Sequence, residues 1–173
     1  MKSLARIPIV LFAGISCLAQ TTAQVAPAKA PNRAPKQYTI EQFLTTERVG
    51  GLSISFDDKN VLYHSNRTGV FNVYTTPVDA RSPRAITKST KETTYAVSYF
   101  PHDDRVLFTQ DQGGNELNHV YVREENGSTR DLTPGAKLKA AFEGWSRDGQ
   151  YFYLSSNESD PKLFDLYRYN AKD

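Results

Sequence analysis

The sequence predicts an all-β fold, and three observations carry that expectation. Aromatic side chains are abundant, with ten Tyr and nine Phe against one Met, and aromatics suit a pleated, half-buried surface. Short runs such as FNVYTT, HVYVRE and FDLYRYN alternate in character residue by residue, the period of a strand with one face buried. The third observation is a repeat. The segments ISFDDKNVLYHSN from Ile54, FPHDDRVLFTQD from Phe100 and WSRDGQYFYLSSN from Trp145 fall into register. Ile54, Phe100 and Trp145 take one position and Asp57, Asp103 and Asp148 another, at spacings of 46 and 45 residues. Downstream, Val73-Tyr74, Val120-Tyr121 and Leu166-Tyr167 correspond, and Ile86-Thr87 matches Leu132-Thr133. Four strands in about 45 residues are the dimensions of a β-propeller blade. The fold class expected is therefore a partial β-propeller of about three four-stranded antiparallel blades, the third incomplete.

The elements follow in order. Residues 1–23 carry Lys2 and Arg6, then an apolar run from Ile7 to Leu18, then small residues at Ala19 and Ala23. That is the pattern of a secretory signal peptide, and the run is too short to span a bilayer. Cleavage is expected after Ala23, with Ala19 as the alternative. Acylation at Cys17 fits poorly, because Gly14 stands where a larger aliphatic residue is expected. Export implies a periplasmic or secreted protein without a stable membrane anchor.

Cleavage would remove the sole cysteine, and with it any disulfide, so the fold must rely on burial. It would also leave 19 basic residues against 19 acidic ones. A formally neutral chain has no electrostatic footprint for nucleic acid. Residues 24–37 are a Pro- and Ala-rich linker. Within 38–49, Thr39 and Gln42 fit a capping box ahead of Ile40, Phe43 and Leu44, which share one helical face. The blades then span approximately 50–92, 93–138 and 139–173. A single blade cannot bury both of its faces, so neighbours must stack.

The turns and strands resemble TolB-like and WD40-like exported propellers. Over AVSYFPHDDRVLFTQDQGGNELNHVYVREENGSTRDLTPGAK and FEGWSRDGQYFYLSSNESDPKLFDLYRYN the chain is more narrowly similar to the N-terminal propeller of bacterial S9 serine peptidases, the prolyl oligopeptidase family. DQGGNEL and LTPG are the more specific phrases. The resemblance implies a propeller that caps an α/β-hydrolase domain and admits short peptides. The catalytic Ser, Asp and His of such a domain have no counterparts in this chain. The nearest match to the G-x-S-x-G elbow is Gly51 to Ser55, which ends in Ser and lies where the repeat requires a strand. The chain alone is expected to be inactive. The expected partners are a C-terminal α/β-hydrolase domain and peptide substrates. The alternative is a non-enzymatic periplasmic propeller that binds proteins or peptides.

One loop stands out. DQGGNELNH brings Asp111, Asn115, Glu116 and His119 to one end of a blade, with two glycines permitting tight turns. These four are the candidate substrate or domain-interface residues, with Glu116 placed to meet a peptide amine or a basic side chain. The competing expectation is a connecting loop whose Asp and Asn cap backbone groups. His64, His102 and His119 show no zinc-ligand spacing, so no metal and no cofactor is expected. Asp57, Asp103 and Asp148 belong to separate turns and are expected to stabilise them. Trp145 is expected to pack between blades.

Overall fold

The computed structural model describes residues 34–79 and 82–173. The leader, its cleavage point and most of the linker lie outside the described residues. Two compact units divide after Tyr38. In the first, Lys36 Nζ lies 5.0 Å from the centre of the Tyr38 ring.

The second unit, Thr39–Asp173, opens on α1 (Ile40–Leu44). Gln42 N donates to Thr39 Oγ1 at 3.3 Å, and Thr39 N donates to Gln42 Oε1 at 3.0 Å. The capping box thus satisfies two donors that a helix start leaves unpaired. Ile40, Phe43 and Leu44 are exposed.

Among the described residues, eleven strands then form three antiparallel meanders. The first sheet holds β1 (Val49–Ile54), β2 (Asn60–Ser65), β3 (Asn72–Pro77) and β4 (Arg84–Ala85). The second holds β5 (Thr94–Tyr99), β6 (Val106–Gln110), β7 (His119–Arg123) and β8 (Thr129–Asp131). The third holds β9 (Ala140–Trp145), β10 (Tyr151–Ser156) and β11 (Asp165–Asn170). Strand order follows chain order within each sheet, as in a propeller blade.

The sheets stack through two cores. Leu62 and Val73 of the first sheet meet Ala96, Tyr99, Val106 and Phe108 of the second. Phe100, Leu107, Val120 and Val122 of the second meet Leu138, Ala140, Phe152 and Leu154 of the third. The middle sheet is covered on both sides, so Val106, Leu107 and Phe108 are all buried in succession. A strand buried on both faces loses its polar alternation, which explains the apolar run. Backbone bonds tie successive sheets at matching positions. Thr94 N donates to Phe71 O at 2.9 Å, and Ala140 N donates to Asn118 O at 2.8 Å. Trp145 lies between sheets as expected, against Phe100 and Phe152, and its Nε1 donates to Ser98 Oγ at 3.0 Å.

The turns correct the repeat by one residue. Ile54 pairs with Val61, Tyr99 with Val106, and Trp145 with Phe152. Tyr99, not Phe100, is therefore the counterpart of Ile54 and Trp145. Likewise Ser55, Phe100 and Ser146 are equivalent, each donating its N–H across a turn of the same length. His102 then stands where Asp57 and Asp148 stand in the other turns, and Asp103 falls one place later.

The physical reason is the serine. Ser55 Oγ donates to Asp57 Oδ1 at 2.7 Å and accepts from Asn60 N at 2.9 Å. Ser146 repeats this with Asp148 at 2.7 Å and Tyr151 N at 2.9 Å. The Ser55 hydroxyl, reinforced by the Lys59 N–H, draws the Asp57 carboxyl down to about 2. Asp148 is lowered for the same reason, by Ser146 first. Phe100 has no hydroxyl and is buried in the core instead, with the Arg105 guanidinium 4.1 Å from its ring centre. Asp103 accordingly turns to Arg105, accepting from its N–H at 3.0 Å and pairing with its guanidinium at 2.9 Å.

His64 closes the first inter-sheet contact. Its Nδ1 accepts from Ala96 N at 3.2 Å, and its ring lies edge-on to Phe71 and Tyr95, with centres 5.3 and 5.0 Å away. Burial lowers its pKa below the ordinary value. An unfolded histidine gains its proton near pH 6.5, whereas the folded one resists it. Stability from this group is complete above about pH 6.5 and declines as pH falls below it. The melting temperature is expected to drop between pH 7 and pH 5, and to drop less in His64→Gln. An equal drop in both proteins would contradict this.

Candidate functional site

The loop between β6 and β7 is built by its own backbone. Gly113 and Gly114 adopt left-handed conformations, with φ of 67° and 76°. Asn115 Oδ1 accepts from Gln112 N at 3.3 Å and from Leu117 N at 3.0 Å. That is the capping role expected of a connecting loop. Glu116 is the unusual member. It is exposed and has a φ of 59°, a region that non-glycine residues occupy at a cost of about 1 kcal/mol or more.

The loop is pinned from the connection between β4 and β5. Gly113 N donates to Glu92 Oε2, and Glu92 N donates to Ser89 Oγ at 2.8 Å. Ser89 N donates in turn to Asn72 Oδ1 at 2.7 Å. Asn72 Oδ1 also accepts from Thr87 Oγ1 at 2.9 Å, and Thr87 Oγ1 lies 2.7 Å from Thr94 Oγ1. A relay of short polar side chains therefore runs from the first sheet to the loop of the second. Glu92 and Asn72 were not candidates in the sequence. Their partners lie 21 and 17 residues away, and no local pattern marks them.

The structure brings Asp111, Asn115 and Glu116 to one end of the second sheet. Asp111 is half-buried, and the other two are exposed. His119 sits at the base of the loop but is only 2% exposed. Its Nδ1 lies 2.8 Å from Asp131 Oδ2 and its Nε2 lies 3.0 Å from Gly135 O. It ties β7 to β8 and to the turn beyond, so the exposed candidate surface consists of Asn115 and Glu116, with Asp111 beside them.

Two clefts open at the opposite end of the sheets. One of about 530 Å³ lies between the first and second sheets, lined by Thr75, Arg84, Tyr99, Asp104 and Arg123 among others. One of about 250 Å³ lies between the second and third, lined by Val122, Leu132, Arg168 and Tyr169 among others. Among the described residues no cluster of His, Cys, Asp or Glu is suited to a metal, and no helix is long and apolar enough to cross a membrane. Ser53, at the centre of the elbow-like stretch, lies in β1 and its Oγ accepts from Tyr99 N at 3.0 Å.

Three stacked, in-register antiparallel sheets with chain-order strands define part of a β-propeller. No family model matches the chain. Dipeptidyl aminopeptidase BIII of Pseudoxanthomonas mexicana is 32% identical over 158 residues, covering 87% of this chain. The chain is homologous to a part of that peptidase and spans 22% of its length. Among solved structures, TolB from Acinetobacter baumannii superposes with a TM-score of 0.55 at 20% identity, over 73% of this chain and 31% of that one. The putative TolB from Agrobacterium tumefaciens gives 0.56 at 19% identity, over 70% and 42%. These two likenesses establish the fold as TolB-like.

Proposed function

We propose that this chain is the N-terminal propeller portion of an exported S9-type serine peptidase. In this reading the catalytic triad resides in an α/β-hydrolase domain outside this chain. The propeller acts as lid, substrate filter and docking surface, and the protein works in the periplasm or outside the cell. The observation that carries the reading is the identity with dipeptidyl aminopeptidase BIII. The chemistry of the described residues is compatible with it, since the hydrogen bonds of His64, His102 and His119 run to backbone atoms or Asp131. The exposed, strained Glu116 is the group offered to a peptide amine. A second reading, a TolB-like module that binds proteins or peptides without cleaving them, is favoured by the superposition with the two TolB structures.

The test compares this chain with the full polypeptide encoded by its gene, using dipeptidyl p-nitroanilides. The 173-residue chain is expected to give no turnover, and the full polypeptide is expected to cleave. Within that enzyme, Glu116→Gln should raise KM about tenfold or more for free-amine substrates, the loss of one charge-assisted hydrogen bond. It should leave N-acylated substrates unaffected. Turnover by the chain alone would overturn the reading. A gene that encodes only further sheets would favour the binding module.

A further inference from the structure

The connection that leads into the next sheet is built twice to one plan. Val73 N donates to Thr87 Oγ1 at 2.8 Å, and Val120 N donates to Thr133 Oγ1 at 2.9 Å. The first side chain of the third strand then grips the turn two residues beyond that threonine. Asn72 Nδ2 donates to Ser89 O at 2.9 Å, and His119 Nε2 lies 3.0 Å from Gly135 O. Asn72 Oδ1 also accepts from Ser89 N, so one buried carboxamide holds both backbone groups of that residue. The turn closes three residues later. Glu92 N donates to Ser89 Oγ at 2.8 Å, and Leu138 N donates to Gly135 O at 3.0 Å. Two residues further on, Thr94 and Ala140 begin β5 and β9. Glu92 and Leu138 are therefore equivalent.

What differs is the side chain. Leu138 is buried in the core between the second and third sheets. Glu92 is half-buried, and its carboxylate accepts from Gly113 N in the β6–β7 loop. The turn forms with an aliphatic residue in this place, so the fold does not require a carboxylate there. The loops that follow differ to match. The β6–β7 loop contains three left-handed residues, Gly113, Gly114 and Glu116, and the β10–β11 connection contains none. A left-handed run persists only where its surroundings hold it. Asn115 Oδ1 supplies two hydrogen bonds from inside the loop. Glu92 supplies the hold from outside, and a charged acceptor makes the stronger kind of bond.

We infer that Glu92 is a positioning residue for Glu116, and through it a determinant of selectivity for peptides with a free amino terminus. Its carboxylate holds the Gly113 N–H, and that bond fixes the left-handed run in which Glu116 is exposed. Glu92 itself touches no substrate. The inference rests on the peptidase reading for the peptide amine and on the loop geometry for the hold, so the two are tested separately.

NMR of the 173-residue chain reads the hold. Glu92→Leu gives the first connection the residue that the second one has. It should shift the amide signals of Gly113 to Leu117 and speed amide exchange at Gly113 about tenfold, the loss of one charge-assisted hydrogen bond. Exchange at Leu107 in the core should not change. In the full polypeptide, Glu92→Leu should raise KM for free-amine dipeptidyl p-nitroanilides about fivefold. It should leave kcat and N-acylated substrates unaffected. Glu92→Gln keeps an acceptor oxygen without the charge and should fall between the wild type and Glu92→Leu in both measurements. That ordering carries the test should Glu92→Leu fail to fold. Added to Glu116→Gln, Glu92→Leu should raise KM no further, because a positioning residue acts only through the group it positions. Unchanged exchange at Gly113, equal losses on free-amine and N-acylated substrates, or additive losses in the double variant would overturn the inference. A raised KM in Glu116→Gln with none in Glu92→Leu would overturn this inference alone. A silent Glu116→Gln would overturn the amine-binding role of the loop together with it.

Discussion

Leu107→Ala is expected to destabilise the protein by about 3–5 kcal/mol, near the top of the range for deleting a buried leucine. Leu107 is fully buried within β6. It belongs to the core that joins the second and third sheets, with Phe100, Val120, Phe152 and Leu154. Its neighbours are held by ladders on both sides, so the space left by the missing carbons cannot close cheaply. The lost contacts add to the lost burial. For a domain of this size the melting temperature should fall by about 10 °C or more. Leu52→Ala is the control, because Leu52 is 73% exposed on the outer face of the first sheet. It should change stability by less than about 0.5 kcal/mol. Chemical denaturation of both variants checks the pair, and comparable losses would mean that the middle sheet is not enclosed.

Gly51→Ala is expected to be the second large effect, about 3 kcal/mol, from strain combined with overpacking. Gly51 lies at the irregularity in β1 with a φ of 64°. A Cβ there would come within 2.5 Å of both Ala96 O and His64 Nδ1. The carbonyl belongs to the second sheet and the imidazole accepts that sheet's Ala96 N–H. Both would have to move, opening the contact between the first two sheets. Gly113→Ala separates conformational strain from crowding. Its φ is 67°, but no atom lies within 4 Å of the added carbon. It should cost only about 1 kcal/mol, the left-handed penalty alone. Equal losses at the two positions would show that β1 does not press on β5 at this point.

The fold was legible because the blade period, the strand alternation and the turn residues agree with one another. Capping by Thr39 and the Ser-Asp turns are local events, and local events leave local patterns. The offset at Phe100 was not legible for an equally specific reason. Asp103 and Asp104 are adjacent, and an apolar Phe resembles a strand end, so pattern alone favoured the wrong partner. The pairing of Tyr99 with Val106 and the hydrogen bond across the turn, Phe100 N to Arg105 O at 2.9 Å, fix the position. The site was half legible. The double glycine marked the loop, and Asn115 followed from ordinary turn chemistry. His119 was grouped with the loop because it is near in sequence, yet its role is set by Asp131 and Gly135, which the fold brings to it. Glu92 was invisible because it reaches the loop from the β4–β5 connection, 21 residues away in sequence.

The claim beneath all of this is that three equivalent sheets stack face to face, the first on the second and the second on the third. Proton–proton contacts in solution test it directly. The account predicts contacts between the His64 and Tyr95 rings, whose centres lie 5.0 Å apart, and between the Phe100 and Phe152 rings, at 5.9 Å. It also predicts no Hα–Hα contacts linking β4 to β5 or β8 to β9 as paired strands. Backbone contacts that join those pairs into one continuous sheet, with the ring contacts missing, would contradict it.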